Sequence, residues 1–174
     1  MNKNYVAISG TIVHMFDTQR NCAIVTVKTG DHTFPKVVFH KALAEQVLAE
    51  YEVGMAICIE GFLVSSITGK GATQSVVASK LLPSDEEQTC NLFRLEGKVL
   101  QCWLYEKFCV VRLRVEQDGH VACIPVSLHL ATTGGKVPKG IRLQVEGHID
   151  TRVDRWTQEP RYFQNYFAHR MRVA

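Results

Sequence analysis

The sequence lacks the features of several protein classes. It has no run of about 18 apolar residues, so no membrane-spanning helix is predicted, and its first residues lack the layout of a signal peptide. None of its six cysteines forms a CxxC pair and its seven histidines form no HxxxH motif, so we expect neither a metal site nor a cofactor. Phosphate-binding loops of the P-loop type and GxSxG elbows are missing as well, and we therefore expect no enzyme.

Arginine is scarce in the first half of the chain. Only Arg20 lies before residue 87, whereas nine arginines follow it, and the net charge of the whole chain is +3. An arginine side chain makes planar, forked contacts with phosphates and stacks on bases. The uneven distribution favours a nucleic-acid surface in the second half. The alternative is a solvated surface that uses arginine for solubility.

The chain repeats itself. Four segments recur in the same order at offsets of 86 to 90 residues: 8–13 with 95–100, 22–30 with 110–119, 54–63 with 140–149, and 75–81 with 165–171. An internal repeat indicates two copies of one structural unit. We predict a first domain at residues 1–83, a charged linker at 84–90 and a second domain at 91–174.

Each repeated segment alternates between apolar and polar residues. Cys109, Val111, Leu113 and Val115 share one side of a predicted strand, and the intervening residues share the other. Two glycines recur within each copy, at positions 10 and 61 and at positions 97 and 147, where they indicate bulges or tight bends at a barrel corner. Each copy is therefore predicted to form about five short strands with one buried face.

One amphipathic segment interrupts the strands of the first copy. Leu43, Val47 and Tyr51 recur at helical spacing with Leu48 beside them, which predicts a helix over residues 40–51. The second copy has the Gly- and Pro-containing residues 128–140 at this place, which predict a loop. Five strands with an optional helix between strands three and four describe the OB-fold. The predicted fold is all-β: two tandem OB-fold barrels, the first with the helix. A single larger sandwich is the alternative.

Two motifs resemble the bacterial single-stranded DNA-binding proteins. "GIRLQVEGHIDTRVDRW" is similar to the family's fourth strand and its basic, tryptophan-bearing arm, and "SVVASKL" is similar to its closing strand. Primosomal replication protein N, a small relative, matches about as well. The resemblance implies a cytoplasmic protein that binds single-stranded DNA in replication, repair or DNA transfer. It also implies a homodimer that presents four OB-folds. The family's acidic tail is missing here, so we expect no recruitment of other proteins through such a tail.

The candidate binding residues lie in the second copy. Binding of single strands without sequence preference needs positive charge along the phosphates and aromatic rings on which bases stack, and OB-folds bind through two loops and the strand face between them. The predicted residues are Trp103, Tyr105, Lys107, Phe108, Arg112, Arg114, Arg142, Arg152, Arg155, Trp156, Arg161, Tyr162 and Phe163.

Alternative functions remain open from the sequence. Trp103 could be a core or interface residue, and Arg112 and Arg114 could form ion pairs with Glu116 and Glu96. The first copy has few basic or aromatic residues and could serve dimerisation. The whole chain could act as an adapter in a replication or recombination complex, with its aromatic residues as interface anchors. RNA is a further possible ligand, because OB-folds bind it in the same way.

Overall fold

The computed structural model describes residues 3–68, 71–84, 89–154 and 161–174, with residues 67–68, 71, 152–154 and 161–162 described by their backbone alone. These residues form ten strands and two helices. The elements are β1 (Asn4–Asp17), β2 (Cys22–Lys28), β3 (Lys36–His40), α1 (Ala42–Glu50), β4 (Ala56–Thr68), β5 (Gly71–Leu82), β6 (Cys90–Leu104), β7 (Phe108–Gln117), β8 (His120–His129), α2 (Leu130–Thr133), β9 (Arg142–Asp154) and β10 (Arg161–Val173).

The strands close into two barrels of the same topology. In the first, β1 pairs with both β2 and β4, and the circle closes where β3 runs parallel to β5. In the second, β6 pairs with β7 and β9, and the circle closes where β8 runs parallel to β10. Five strands in this order form the OB-fold. The predicted pair of OB-fold barrels is confirmed.

Alternation along the strands separates the core from the surface. On β7, Val111, Leu113 and Val115 are buried in the core, whereas Arg112 is half-buried and Arg114 exposed on the other face. Successive side chains of a strand point to opposite faces, so one face of every strand fills the barrel and the other remains available. The predicted alternation of this strand is confirmed.

The first helix is shorter than the predicted segment, and the second copy also contains a turn of helix. Helix α1 begins at Ala42, ends at Glu50 and buries Ala44 and Val47, while Leu48 stays 38% exposed. The expected loop of the second barrel contains α2, because the ring nitrogen Nδ1 of His129 accepts a hydrogen bond from the Ala131 N–H at 3.2 Å and caps the turn. The prediction of a loop throughout this region was wrong at these four residues.

All four recurring glycines lie where two backbones approach each other closely. A Cβ atom at Gly147 would lie 1.9 Å from the Phe167 carbonyl oxygen, and one at Gly61 would lie 2.2 Å from that of Val77. At both places the pairing with the next strand shifts register. Only glycine permits this approach of two backbones, so the expected tight bends are present.

The two barrels are joined by a pair of first strands. β1 and β6 run antiparallel, with Asn4–Ser9 opposite Cys90–Leu95, so all ten strands belong to one continuous sheet. Two hydrogen bonds of the same kind flank this pairing. The Phe34 N–H donates to Thr151 Oγ1 at 3.2 Å, and the Cys123 N–H donates to Ser65 Oγ at 2.9 Å. The contact is therefore nearly two-fold symmetric.

The expected linker falls between two strands of this sheet. β5 ends at Leu82 and β6 begins at Cys90, and the division into residues 1–83, 84–90 and 91–174 stays a prediction. No helix in the described part of the chain is long and apolar enough to cross a membrane.

Candidate nucleic-acid interface

The outer face of β7 and its two neighbouring strands combines aromatic and cationic side chains. Trp103 of β6 lies opposite Val110 of β7, and Val110 lies opposite Ser127 of β8. Trp103 is 41% exposed. Cys109 and Val111, the neighbours of Val110 along β7, point to the opposite face and are buried in the core. The indole is therefore a surface group at one end of this face, and the alternative of a core tryptophan is excluded.

A row of three cations crosses the other end of β7 and β6 and continues onto β9. Lys98 of β6 is paired with Arg114 of β7 on one side and with Arg142 of β9 on the other. Like charges on directly opposite strand positions destabilise a sheet. The repulsion among these three cations therefore destabilises the folded chain, and a bound polyanion would relieve that repulsion.

Two acidic residues partly balance this row. Arg114 Nη2 lies 2.9 Å from Glu116 Oε1, and Arg142 Nη2 lies 3.0 Å from Glu96 Oε1. Hydrogen bonds from Gln144 and from Arg142 hold the pKa of the Glu96 carboxyl below its usual value. The predicted alternative of ion-paired arginines is thus observed for Arg114, with Glu116.

Arg112 lies between the aromatic end and the cationic row. It is half-buried on the outer face of β7, opposite Gln101 of β6 and Pro125 of β8. Neither Arg112 nor Lys98 forms an ion pair with any residue that the structure describes. These two cations can therefore approach a phosphate without first breaking an ion pair.

The β6–β7 hairpin supplies a second aromatic group. The Tyr105 and Phe108 rings are stacked with centroids 4.8 Å apart and planes at 16°, and the Tyr105 N–H donates to the Phe108 carbonyl at 2.8 Å. Tyr105 is 52% exposed and Lys107 is exposed at the tip. The predicted binding residues of this segment lie largely on strands, because β6 extends to Leu104, β7 begins at Phe108 and only residues 105–107 form the turn.

The β9–β10 hairpin contacts the first barrel. Gln164 Oε1 accepts a hydrogen bond from the Lys36 N–H at 2.7 Å, and Thr151 accepts the one from Phe34. Phe163 of this hairpin is 49% exposed. It lies on β10 and is paired with β9, so it does not belong to the face formed by β6, β7 and β8. For Arg152, Arg161 and Tyr162 the structure gives only a backbone position in the hairpin, and Arg155 and Trp156 lie outside the described residues.

Of the predicted residues, the structure brings Trp103, Phe108, Arg112 and Arg114 to one face, and Arg142 to its edge. The face also contains residues that the sequence analysis missed, namely Lys98, Gln101, Val110, Pro125, Ser127 and His129. These residues share the face because of strand pairing, which the spacing of residues in the sequence does not show. Among the described residues no group of histidine, cysteine and carboxylate side chains could hold a metal ion.

Comparison with solved structures identifies the arrangement. The single-stranded DNA-binding protein from Thermus aquaticus, as a deletion mutant, superposes with a TM-score of 0.72 at 20% sequence identity over 98% of this chain and 94% of that one. The chain has the fold of this bacterial single-stranded DNA-binding protein. The wild-type Thermus aquaticus protein gives a TM-score of 0.71 at 20% identity, over 98% of this chain and 92% of that one. The predicted resemblance is thus confirmed in the fold.

Other comparisons contribute less. The N-terminal domain of PriB from Thermoanaerobacter tencongensis matches 48% of this chain and 96% of its own at 22% identity, with a TM-score of 0.37. No family model matches the sequence, and no curated protein matches it.

Proposed function

We propose that the chain binds single-stranded DNA with little sequence specificity through the outer face of β6, β7 and β8. The observation that carries the proposal is the register of this face, with Trp103 at one end and the Lys98–Arg114–Arg142 row at the other. The fold shared with the Thermus aquaticus single-stranded DNA-binding protein supports it.

The two ends of the face suit different parts of a polynucleotide. An exposed indole can stack on any base, since every base has a flat π face, and such stacking contributes about 1–3 kcal/mol per base. The cationic row lies across β7, β6 and β9 at the end of the face away from the indole, where it can contact phosphates and displace condensed counterions. Arg112 lies between the two groups and can serve either role. A surface of this kind binds a flexible single strand and leaves the bases of a duplex out of reach.

A binding titration tests the proposal. Fluorescence anisotropy of labelled oligo-dT, a matched duplex and oligo-U would be measured at low and high salt. We expect oligo-dT to bind more tightly than the duplex, with an affinity that falls steeply as salt rises, by a slope of about −0.7 for each phosphate contact. Equal affinity for duplex and single strand would contradict the proposal. Tighter binding of oligo-U would identify RNA as the ligand.

The adapter function and the assembly stay predictions. An adapter that uses Trp103 as an interface anchor would not bind oligo-dT, so the same titration separates the two functions. We propose a homodimer with four OB-folds, which light scattering would report as twice the chain mass of 19.6 kDa. A monomeric mass would contradict the dimer without affecting the binding proposal.

A further inference from the structure

The turn that precedes the fourth strand is held by the same hydrogen bond in both barrels. In the first barrel the Gly54 N–H donates to the Ile12 carbonyl at 2.8 Å, and in the second the Gly140 N–H donates to the Val99 carbonyl at 2.9 Å. Both glycines have a positive φ, of 97° and 94°. The two turns are therefore equivalent elements of the duplicated fold.

These equivalent elements carry opposite charges. Residues 42–56 contain three glutamates and no lysine or arginine, whereas residues 130–141 contain two lysines and no acidic residue. All five charged side chains are exposed, and none forms an ion pair with a residue that the structure describes. We refer to the two sets as the acidic pole and the basic pole, which consist of Glu45, Glu50 and Glu52, and of Lys136 and Lys139.

The charge of the acidic pole is not compensated within its own helix. The last turn of α1 has no basic residue, so Glu50 adds to the negative partial charge at the C-terminal end of the helix. In the turn that follows, Val53 is 61% exposed and Met55 is 44% exposed. A partner that brings cations together with apolar side-chain stems would relieve the repulsion and cover these apolar groups.

The basic pole has the complementary composition. Lys139 directly precedes Gly140, as Val53 directly precedes Gly54, and Lys136 is exposed in the same loop. A lysine consists of a four-carbon stem that ends in an ammonium group, so it can cover apolar surface while its charge reaches a carboxylate. The basic pole therefore fits the acidic pole in charge and in apolar contact.

The two poles cannot meet within one chain. β1 and β6 are antiparallel, with Asn4–Ser9 opposite Cys90–Leu95. Ile12 lies beyond one end of this overlap and Val99 lies beyond the other, so the turns that they hold lie at opposite ends of the joined barrels. A contact between unlike surfaces at opposite ends joins copies head to tail and leaves a free pole at each end of the row.

We infer that the acidic pole of one copy binds the basic pole of the next copy. Exposed ion pairs stabilise such a contact only weakly, so copies in dilute solution stay apart. A single strand holds bound copies at a high effective concentration, and the contact forms there. The contact itself does not depend on DNA, whereas its formation on a strand rests on the proposed function. It differs from the proposed homodimer, because a two-fold dimer joins like surfaces.

Charge reversal on a strand tests the contact. The variants Glu50→Lys/Glu52→Lys and Lys136→Glu/Lys139→Glu would be titrated on a short oligo-dT that holds one bound protein and on a longer one that holds two. In the wild type the second protein should bind more tightly than the first, by about 2- to 30-fold. Each variant should lose this advantage, and an equimolar mixture of the two should regain it, because each reversed pole then meets an oppositely reversed one.

A matched control separates the poles from the net charge. Asp17→Lys/Asp31→Lys changes the net charge as Glu50→Lys/Glu52→Lys does, at exposed positions of the other hairpins of the first barrel. We expect this control to keep the advantage of the second protein. All the variants should fold, because the positions are exposed and a lysine suits the C-terminal end of α1.

The outcomes separate the contact from the proposed function. Equal affinity of the first and second wild-type proteins refutes the contact and leaves the proposed function intact, and loss of the advantage in Asp17→Lys/Asp31→Lys also refutes the contact. A lower salt slope of Lys136→Glu/Lys139→Glu on the short strand would mean that these lysines bind phosphates, and the basic pole would then belong to the DNA interface instead.

If the wild type binds neither strand, the proposed function fails and sedimentation decides the contact. Concentrated wild-type protein at low salt should then show a mass that rises with concentration, and Glu50→Lys/Glu52→Lys should abolish the rise. A mass that does not rise with concentration, or that rises equally in this variant, refutes the contact.

Discussion

Asn4 and Asn91 occupy the same position in the two barrels and make the same pair of hydrogen bonds. Asn4 Nδ2 donates to the Leu63 carbonyl at 2.7 Å, and Asn4 Oδ1 accepts from the Leu63 N–H at 2.9 Å. Asn91 makes the two corresponding bonds with Ile149, at 2.8 and 2.9 Å. Each amide thus completes the pairing between the first and fourth strands where their backbones separate. The duplication is visible in single side chains as well as in topology.

Replacement of either asparagine by alanine should destabilise the chain. The backbone groups of Leu63 lose their partners in Asn4→Ala, and leaving buried groups unsatisfied costs about 1–3 kcal/mol. Asn91→Ala should cost less, because Asn91 is half-buried whereas Asn4 is 6% exposed. Urea denaturation measures both, with Glu52→Ala in an exposed turn as the control. Equal stability of Asn4→Ala and the control would contradict the role of the amide.

Gly147→Ala should be far more damaging than Gly30→Ala. The new Cβ at position 147 would lie 1.9 Å from the Phe167 carbonyl oxygen, whereas at position 30 the nearest atom is 3.8 Å away, an ordinary contact. Because β9 and β10 must separate to admit the methyl group, we expect a loss of several kcal/mol or no folding. Circular dichroism and thermal unfolding of the two variants provide the measurement. A similar melting temperature for both would show that the barrel corner can adjust.

Tyr166→Phe should be neutral or stabilising. Tyr166 is 1% exposed, packs edge-to-face on Phe93, and its hydroxyl has no hydrogen-bond partner among the described residues. Burial raises the pKa of this phenol, because the charged form would be desolvated. Removal of the hydroxyl removes its desolvation cost.

Tyr5→Phe is the matched control for this change. The Tyr5 hydroxyl donates to Glu60 Oε1 at 3.1 Å, and its loss should cost about 0.5–1.5 kcal/mol. Chemical denaturation compares the two variants. A loss above about 1 kcal/mol in Tyr166→Phe would mean that the hydroxyl is hydrogen-bonded in solution.

Acid should remove a stabilising contribution of Glu146. The hydrogen bond from Arg94 holds the pKa of this carboxyl below its ordinary value of 4.5, and the Arg170 charge acts in the same direction. Because the folded pKa is lowered, the contribution is complete above 4.5 and is lost as the pH falls through the folded value. Glu146→Gln should therefore be less stable than the wild type at pH 7, and the difference should shrink in acid. Melting temperatures across this pH range test the claim. A difference that does not change with pH would contradict it.

The architecture could be predicted because it depends on local patterns. Apolar and polar residues alternate along β7 because successive side chains of a strand point to opposite faces. Glycine recurs at positions 61 and 147 because two backbones approach closely at the barrel corner. Both patterns are visible within a single copy of the repeat. The short helix α2 could not be predicted, because it depends on a cap from His129 within a segment rich in turn residues.

The candidate site was only partly predictable, because pairing decides which residues share a face. Trp103 and Arg112 were recognised by residue type, whereas Lys98 joins them only because β6 pairs with both β7 and β9.

Tryptophan fluorescence tests the central claim most directly, because the chain has only two tryptophans, Trp103 and Trp156. In a Trp156→Phe variant the whole indole signal comes from Trp103. We predict that oligo-dT quenches this emission in proportion to the strand bound and that added salt reverses the quenching. Oligo-dT that binds without any change in the emission of Trp103 would place the ligand elsewhere and contradict the account.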